Sequence, residues 1–407
     1  MPKKKKKKNV VSAKVQQAQK FNDFKKRLLQ IAKACDAVEQ FKLIPKIELK
    51  VMFAARFKPF DIIPAQGHKL SPANYKFLKQ MVKYFLKKET ITFLENGKEI
   101  NLYEYYYVGD SLRVSIDDFK NEKFKGVTEI VNAFKPLSDK HDAPDGPHRR
   151  LFEISNTMAG LLSRIDKGYW LFHFHLISRL KPFPEFRTCF KVEYVAPKII
   201  DIIENGHKRP AYRVGWTDSG QKVTWPQITL LQLNIKNSFS DLKIDVYVQS
   251  HALLRMKERL DCIPENILHF ILYQNIVLWE TNTNNCSQSL IPYKFDKTKL
   301  GYLVYEYNQG VVLIKTFLLL TNNGTPEGEK LNKLLGIEKL DKQYLDLDKL
   351  SQFVKSDIPH NKELYKHFKD AGCADLFEIN KKIVKQNIEE NTHAALIEKY
   401  INSVVVE

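Results

Sequence analysis

The distribution of charge along the chain constrains its fold more than any other feature of the sequence. The first 90 residues hold 23 lysines and arginines against 6 acidic residues, whereas residues 91–407 hold 42 against 41. Nearly all of the net charge of +18 therefore lies in the first fifth of the chain. A segment this basic cannot bury its charges, so we expect it to present a solvated, positively charged face to a polyanion.

An unbroken run of lysines extends from Lys3 to Lys8. Its charges repel one another, which predicts a flexible tail over residues 1–9. Nucleic acid is the favoured partner, because each phosphate that a lysine neutralises releases a condensed counterion. A solubility tail, a nuclear-import signal and contact with a membrane surface or an acidic protein are the alternatives. The residues predicted to contact nucleic acid are Lys3, Lys4, Lys5, Lys6, Lys7, Lys8, Lys25, Lys26 and Arg27.

Composition narrows the class of protein. Hydrophobic residues make up 43% and charged residues 28% of the 407 residues, which is typical of a globular protein of two or three domains. No stretch has the ~18 uninterrupted apolar residues of a membrane helix, and no apolar segment follows the lysine run as in a secretory signal. Five scattered cysteines without a CxxC pair predict free thiols. We therefore expect a soluble cytoplasmic protein.

Two basic helices are predicted in the first 90 residues. Apolar residues recur at helical spacing from Phe21 to Val38, and lysines fill most of the remaining positions. Ser71 and Pro72 form a favourable N-cap and first-turn pair for a second helix, which again carries lysines outside its apolar stripe. Two such helices can flank a groove for nucleic acid, although a charged helix face is more often only a solvated face.

An aromatic β-meander is predicted for residues 90–115. Alternating segments flank Asn96 and Gly97, which form the favoured two-residue hairpin turn. The tyrosine-rich segment from Tyr103 to Tyr107 falls in the second strand. Such a row either packs against a neighbouring helix or stacks on bases.

Two pairs of histidines mark the middle of the sequence. His141 and His148 bound a polar segment rich in Pro and Gly, which predicts a loop and a domain boundary. His173 and His175 share one face of a strand predicted from Tyr169. Neither pair has an evident third ligand in the sequence, so structural histidines are favoured and no metal site is predicted.

The most specific motif follows a short strand predicted at residues 245–249. His251, Arg255 and Arg259 recur at positions i, i+4 and i+8 of the next helix, and Glu258 lies beside them. Two arginines can clamp a phosphate, and a histidine can act as general acid or base near neutral pH. The candidate catalytic residues are therefore His251, Arg255, Glu258 and Arg259. A structural bracket between this helix and a sheet is the alternative.

The elements around this motif follow a recognisable order. A second helix is predicted from Pro264, and strands are predicted at 276–279, 287–293, 301–307 and 311–319. This order, with the leading His-Ala-Leu-x-Arg-x-x-Glu-Arg helix, resembles the compact α+β domains of RelE-like and BrnT-like ribonuclease toxins over residues 243–320. The resemblance implies metal-independent cleavage of RNA, in which the 2′-hydroxyl is the nucleophile.

The predicted fold class is α+β and multidomain. The expected segments are the tail at 1–9, a basic α+β N-terminal domain at 10–145, an α+β middle domain at 146–240, a RelE/BrnT-like domain at 241–325 and a helical C-terminal region at 326–407. The expected function is nucleic-acid binding with an embedded ribonuclease-like domain. The alternative is a non-catalytic nucleic-acid-binding or structural protein of a bacterium, mobile element or phage particle. No cofactor is predicted, and the C-terminal helices are candidates for binding a protein partner.

Overall fold

The computed structural model describes residues 13–56, 58–119, 124–179, 185–204, 206–235, 239–279, 289–308, 310–354, 356–379, 384 and 394–404. The predicted lysine tail, Lys3 to Lys8, and Cys286 lie outside these residues. The fold is α+β, as the sequence predicts, and the chain forms two compact units. Unit 1 comprises Met1–Ala159, Leu171–Glu193 and Ser219–Gln221; unit 2 comprises Gly160–Trp170, Tyr194–Asp218 and Lys222–Glu407. Neither unit is therefore a single continuous segment.

Unit 1 is mostly helical, with a small sheet. The elements that lie wholly or mostly in unit 1 are α1 (Ala13–Ala34), α2 (Val38–Leu43), α3 (Lys46–Ala55), β1 (Lys58–Pro64), α4 (Pro72–Lys88), β2 (Thr90–Ile91), β3 (Ile100–Asn101), α5 (Leu102–Glu104), a π-helical turn (Tyr105–Gly109), α6 (Asp110–Phe119), α7 (Val127–Ala133), α8 (Lys135–Asp142), α9 (Pro147–Leu162), β4 (Tyr169–Arg179) and β5 (Glu185–Val195). Residues 160–162 of α9, 169–170 of β4 and 194–195 of β5 belong to unit 2. The strands β1, β5 and β4 form one sheet in that order, and β1 runs parallel to β5.

The two basic helices form as the sequence predicts. The α1 helix buries Phe24, Leu28 and Ile31 on one face. At the start of α4 the Ser71 hydroxyl accepts a hydrogen bond from the backbone N–H of Asn74 at 3.1 Å, and Pro72 occupies the first turn. Both helices therefore bury an apolar stripe and leave their lysines in solvent.

The β-meander predicted for residues 90–115 is wrong. Strands β2 and β3 pair over two residues each, and the chain then continues as α5, the π-helical turn and α6. The buried residues after β3 are 102, 105, 106, 108–112, 116 and 119, so most of the segment from 105 to 112 lies in the core of unit 1 and does not alternate as a half-buried strand would. The β propensity of the tyrosines is thus overridden by burial of the segment as helix. Tyr105 and Tyr106 lie in the core of unit 1, so these two rings do not form an exposed stacking row.

Unit 2 has a mixed sheet with helices packed against it. Its elements are β6 (Ile199–Glu204), β7 (His207–Arg213), β8 (Trp216–Asp218), β9 (Lys222–Thr224), β10 (Gln227–Thr229), β11 (Lys243–Gln249), α10 (Ser250–Arg259), α11 (Glu265–Val277), β12 (Leu290–Phe295), β13 (Thr298–Asn308), β14 (Val311–Leu319), α12 (Pro326–Leu335), α13 (Lys339–Tyr344), α14 (Lys362–Ala371) and α15 (Ala394–Val404). Short 3₁₀ turns lie at Leu231–Leu233, Leu350–Gln352, Ile358–His360 and Ala374–Phe377.

The sheet of unit 2 has the order β12-β13-β14-β11-β7-β6, and β10 also pairs with β11. Its two central strands, β11 and β14, are parallel, with Val246 opposite Val312 and Val248 opposite Ile314. The remaining pairs are antiparallel. The β13–β14 hairpin confirms the predicted strands at 301–307 and 311–319.

The strand predicted at residues 276–279 is wrong, because α11 extends to Val277. Leu268, Ile271, Leu272 and Ile276 are all buried at helical spacing, so the apolar run packs as a helix. In the described part of the region that resembles the toxins, the order is therefore strand, two helices and three strands.

Most of the buried hydrophobic residues of unit 2 form one large core, and a smaller cluster contains Ala211, Tyr247 and Leu313. The large core spans the sheet and the helices packed against it. It includes Val246 and Val248 of β11, Met256 of α10, and Leu364 and Phe368 of α14. Residues 241–325 and 326–407, which the sequence divides into two domains, thus contribute to the same core.

Four cysteines are buried free thiols, as the sequence predicts: Cys35, Cys189, Cys262 and Cys373. Burial raises the pKa of the Cys35 and Cys373 thiols to about 12, which makes both poor nucleophiles. None of the helices in the described part of the chain combines the length and the apolarity needed to cross a bilayer.

Candidate functional site

The α10 helix presents three of the four motif residues away from the core of unit 2. Its inward face buries Ala252, Leu253 and Met256. The spacing of the motif places His251, Arg255 and Glu258 on a different face. Gln249 is the N-cap of α10 and Ser250 is its first helical residue.

Arg255 and Glu258 form an ion pair at the surface. Arg255 Nη1 donates to Glu258 Oε2 at 2.7 Å, and both side chains are more than two-fifths exposed. An exposed i, i+3 pair contributes little to stability. Arg255 can therefore exchange Glu258 for a ligand phosphate at little cost in stability.

His251 lies half-buried beside several cations. Burial, together with Arg255 and Arg209, lowers the pKa of His251, and Glu258 opposes this effect. The imidazole is therefore neutral at pH 7 and can accept a proton. Arg209, on β7, was missed by the sequence reasoning, because a strand far upstream gives no local signal of its proximity to α10.

Arg259 serves the packing of unit 2. Its guanidinium donates to the backbone carbonyl of Phe317 on β14. Pairing between β11 and β14 ends at Ile314, so the arginine supplies a donor where β11 no longer runs beside β14. This geometry supports the structural alternative for Arg259 and leaves His251, Arg255 and Glu258 as the exposed part of the predicted catalytic set.

A basic groove lies between α1 and α3 in unit 1. It encloses 740 Å³ and is lined by four cationic side chains, two aromatic rings and small or amide side chains: Lys14, Lys20, Lys50, Arg56, Phe21, Phe53, Ala13, Gln16, Gln17, Ala18 and Ala54. None of these described lining residues is acidic. The groove therefore combines positive charge with aromatic surface.

The aromatic floor of this groove is a packed cluster. The ring centroid of Phe53 lies 5.3 Å from that of Phe21 and 5.4 Å from that of Phe24. The Arg56 guanidinium lies 3.9 Å from the Phe53 centroid and donates to the Phe53 carbonyl. This stacking holds the arginine against the wall of the groove.

The three basic residues predicted on α1 do not line the groove. Arg27 pairs with Asp23 at 3.1 Å and with Glu104 at 3.3 Å, so two carboxylates offset its charge. Lys25 Nζ lies 5.1 Å from the centroid of Phe21, at the edge of the groove, and Lys26 is exposed. The three predicted residues therefore lie on a helix that lines the groove, but the lining itself comes from other residues of α1 and from α3 with its C-cap.

A second basic surface lies on the solvent-facing side of α4. Phe77 and Tyr84 are 52% and 60% exposed, and their spacing of seven residues places them on one helical stripe. The exposed lysines Lys76, Lys83 and Lys87 flank these rings. Large exposed aromatic side chains among lysines indicate a binding surface more strongly than lysines alone.

A network of charges surrounds a buried histidine in unit 2. The His269 Nδ1 atom accepts a hydrogen bond from the backbone N–H of Ile165 at 2.9 Å, and burial lowers the pKa of His269 to about 4. Arg164 pairs with Asp166 at 3.1 Å and also with Glu265. These charges offset one another and fasten residues 164–166 to α11.

The second histidine pair lies beside a carboxylate on the neighbouring strand. The ring centroids of His173 and His175 lie 6.4 Å apart, and His173 Nε2 lies 3.9 Å from a Glu193 carboxylate oxygen. Within the described residues, no group of three or more His, Cys, Asp or Glu side chains is placed to hold a metal ion.

Comparison of the chain with protein-family models, with curated proteins and with solved structures finds no match in any of the three. The RelE/BrnT-like interpretation of residues 243–320 therefore stays a prediction from the motif.

Proposed function

We propose that this protein binds nucleic acid through the α1–α3 groove of unit 1. The observation that supports the proposal is the lining of the groove, where Lys14, Lys20, Lys50 and Arg56 surround Phe21 and Phe53 without an acidic residue. Cations bind the phosphates, and aromatic rings offer faces for bases. The Lys3–Lys8 run precedes α1 in the sequence and adds charge to the same region of the chain.

The exposed face of α4, which also belongs to unit 1, favours single-stranded nucleic acid. Phe77 and Tyr84 on α4 stand in solvent, and an exposed ring can stack on a base only where that base is unpaired. Each such base contributes about 1–3 kcal/mol when it stacks on an aromatic side chain. We therefore expect single-stranded RNA or DNA to bind more tightly than the duplex of the same sequence.

The test is a titration of fluorescently labelled single-stranded RNA and DNA, measured by anisotropy at several salt concentrations. The groove variant changes Lys14, Lys20 and Lys50 to Gln. We expect at least tenfold weaker binding and a salt slope that is shallower by about 2, because each lost phosphate contact removes about 0.7–0.9 from the slope. The matched control changes three exposed lysines of unit 2, Lys330, Lys333 and Lys366, to Gln.

Equal losses in the groove variant and the control would show that only net charge matters and would contradict the groove. A further variant lacks residues 1–8. If that truncation leaves affinity and salt slope unchanged, the lysine run has no part in binding. A Phe77→Ala/Tyr84→Ala variant tests stacking, and we expect it to reduce the preference for single strands over duplex.

A second candidate function is cleavage of RNA at α10. The observation that favours it is a half-buried His251 with a lowered pKa beside Arg255 and Arg209. The neutral imidazole would accept the proton of a ribose 2′-hydroxyl, whose oxygen attacks the adjacent phosphorus. The bond to the 5′-oxygen breaks, the leaving oxygen takes a proton from solvent, and a 2′,3′-cyclic phosphate remains. Arg255 would bind the phosphate after it releases Glu258.

This candidate is tested with labelled RNA in EDTA, comparing wild type with His251→Gln/Arg255→Gln. The matched control is Lys257→Gln, which removes a cation elsewhere on the same helix. Cleavage that the double variant loses and the control retains supports a ribonuclease, and the products should carry cyclic phosphate ends. RNA binding without cleavage by the wild type would reject it and leave the binding function standing.

A further inference from the structure

The turn between α8 and α9 in unit 1 is tightly built. The Gly146 backbone N–H donates to the Ala143 carbonyl at 2.9 Å. A Cβ atom at Gly146 would lie 2.3 Å from the Lys140 carbonyl oxygen, so this position accepts only glycine. Lys140 Nζ also pairs with Asp145 at 2.5 Å across the turn. The turn therefore fixes the relative positions of the side chains that flank it.

Those flanking side chains include His141 and His148. Their Nε2 atoms lie 3.1 Å apart, and their ring centroids lie 4.5 Å apart at an angle of 72° between ring planes. If a linear hydrogen bond joined the two rings end to end, the distance between their centroids would exceed the distance between the two nitrogens by a full ring radius at each end. The two rings therefore do not meet end to end, and their Nε2 atoms lie close enough together to share one ion.

The other nitrogen of His141 is held from within the core. The Tyr105 hydroxyl lies 2.6 Å from His141 Nδ1, and Tyr105 is fully buried. An Asp110 carboxylate oxygen lies 3.8 Å from the same nitrogen, and Arg113 Nε pairs with Asp110 at 2.9 Å. A partner on the second ring nitrogen fixes the tautomer and the orientation of the imidazole, which is the arrangement found around histidines that ligate metals.

We propose that His141 and His148 bind a divalent transition-metal ion through their Nε2 atoms. With metal–nitrogen bonds of about 2.0–2.1 Å, a separation of 3.1 Å gives an N–M–N angle of roughly 100°. This lies between the angles of square-planar and tetrahedral coordination, so Cu²⁺, Ni²⁺ and Zn²⁺ all fit. Imidazole pairs select these ions over Mg²⁺ and Ca²⁺, which prefer oxygen ligands.

The site would bind an exchangeable ion. His148 is exposed, so an ion can reach the pair from solvent. Because the described residues hold no group of three or more protein ligands, water would complete the coordination. When the ion binds His141 Nε2, the proton of that ring moves to Nδ1, which then donates to the Tyr105 hydroxyl oxygen.

The experiment is a titration of the full-length, untagged protein with CuCl₂, monitored by visible absorption and by electron paramagnetic resonance. We expect one site with nitrogen ligands, absent from His148→Gln. His173→Gln is the matched control, because it removes a histidine of the other pair, and it should bind as the wild type does. Titration with MgCl₂ should produce no competition.

A further variant, Tyr105→Phe, separates the metal site from simple loss of structure. It keeps the buried ring and removes the hydroxyl, so we expect copper binding to weaken about 10–100-fold without being abolished. Far-UV circular dichroism confirms folding of each variant. Unchanged stoichiometry and spectrum in His148→Gln, or loss of the site in His173→Gln alone, would overturn the proposal, as would a wild type that binds no copper.

Discussion

Arg255 and Arg259 on α10 are expected to differ in their contribution to stability, because Arg259 contacts Phe317. Arg259→Met keeps the aliphatic stem and removes the donor to the Phe317 carbonyl. Arg255→Met, one turn earlier, removes only the exposed pair with Glu258. The first variant should therefore lose stability, and the second should not.

The magnitude follows from the kind of bond lost. A hydrogen bond from a charged group contributes about 1.5–3 kcal/mol, and its loss also leaves the carbonyl at the uncovered end of β14 without this donor. We expect Arg259→Met to lower the free energy of unfolding by about 2 kcal/mol. An exposed ion pair is worth about 0.2–1 kcal/mol, so Arg255→Met should cost at most half as much.

The assay is urea unfolding monitored by tryptophan fluorescence. All four tryptophans, Trp170, Trp216, Trp225 and Trp279, belong to unit 2, so the signal reports the unit that contains α10. With an m-value of about 2–3 kcal/mol per M, the expected loss shifts the midpoint by roughly 0.7–1 M. Equal urea midpoints for the two variants would refute the structural role of Arg259. Arg259 would then again be a candidate for binding phosphate.

Three further changes test the core of unit 2 by the same unfolding assay. Lys342 is buried and donates to the carbonyls of Thr321 and Gly328 at 2.6 and 3.1 Å, so Lys342→Met should cost about 3 kcal/mol through unpaired buried acceptors. Because the pKa of His269 falls to about 4 in the folded protein, the unfolded state binds its proton first as pH falls, and stability should drop by up to roughly 3 kcal/mol from pH 6.5 to 4. A Cβ at Gly301 would lie 2.0 Å from the Leu318 carbonyl oxygen, so Gly301→Ala should cost about 3 kcal/mol or more.

Each of these variants has a control within the same unit. Lys349→Met removes an exposed lysine that pairs with Asp346, and it should change stability little. His269→Gln should have a shallower pH dependence than the wild type, and parallel curves for the two proteins would contradict the assignment. Gly160→Ala meets nothing within 4 Å on α9 and should stabilise by about 0.5–1 kcal/mol. A stabilised Gly301→Ala would show that β13 can shift away from β14.

Local sequence signals predicted correctly those elements in which residue propensity and burial favour the same secondary structure. Ser71 and Pro72 start α4, and the β13–β14 hairpin forms where alternating strands flank a glycine. The prediction failed where propensity and burial disagree. Tyrosines favour strands, yet Tyr105 and Tyr106 are both buried in the core and form part of a π-helical turn, where one extra residue is inserted without a local sequence marker.

The candidate sites were predictable only in part, because their geometry depends on residues far apart in sequence. The motif placed His251 and Arg255 on one exposed face, but nothing near them in the sequence points to Arg209 or to the carbonyl that binds Arg259. Likewise, lysine counts identified α1 as basic, whereas the groove requires the pairing of α1 with Lys50 and Arg56 at the end of α3. The sequence shows where charged residues lie along the chain, but it does not show which of them come together in the fold.

The parallel pairing of β11 with β14 can form only late in the synthesis of this protein, because β14 is made well after β11. While the ribosome extends the chain, β7 and β10 can pair with β11 as soon as residue 249 has emerged, but the pairing with β14 must wait until residues 311–319 follow. During that interval the positions of β11 from Val246 to Val248 lack their β14 partners, and an unpaired strand edge is where nascent chains can pair wrongly with one another. The helices α10 and α11 are made in this interval, so their packing is the first means of shielding the half-built sheet.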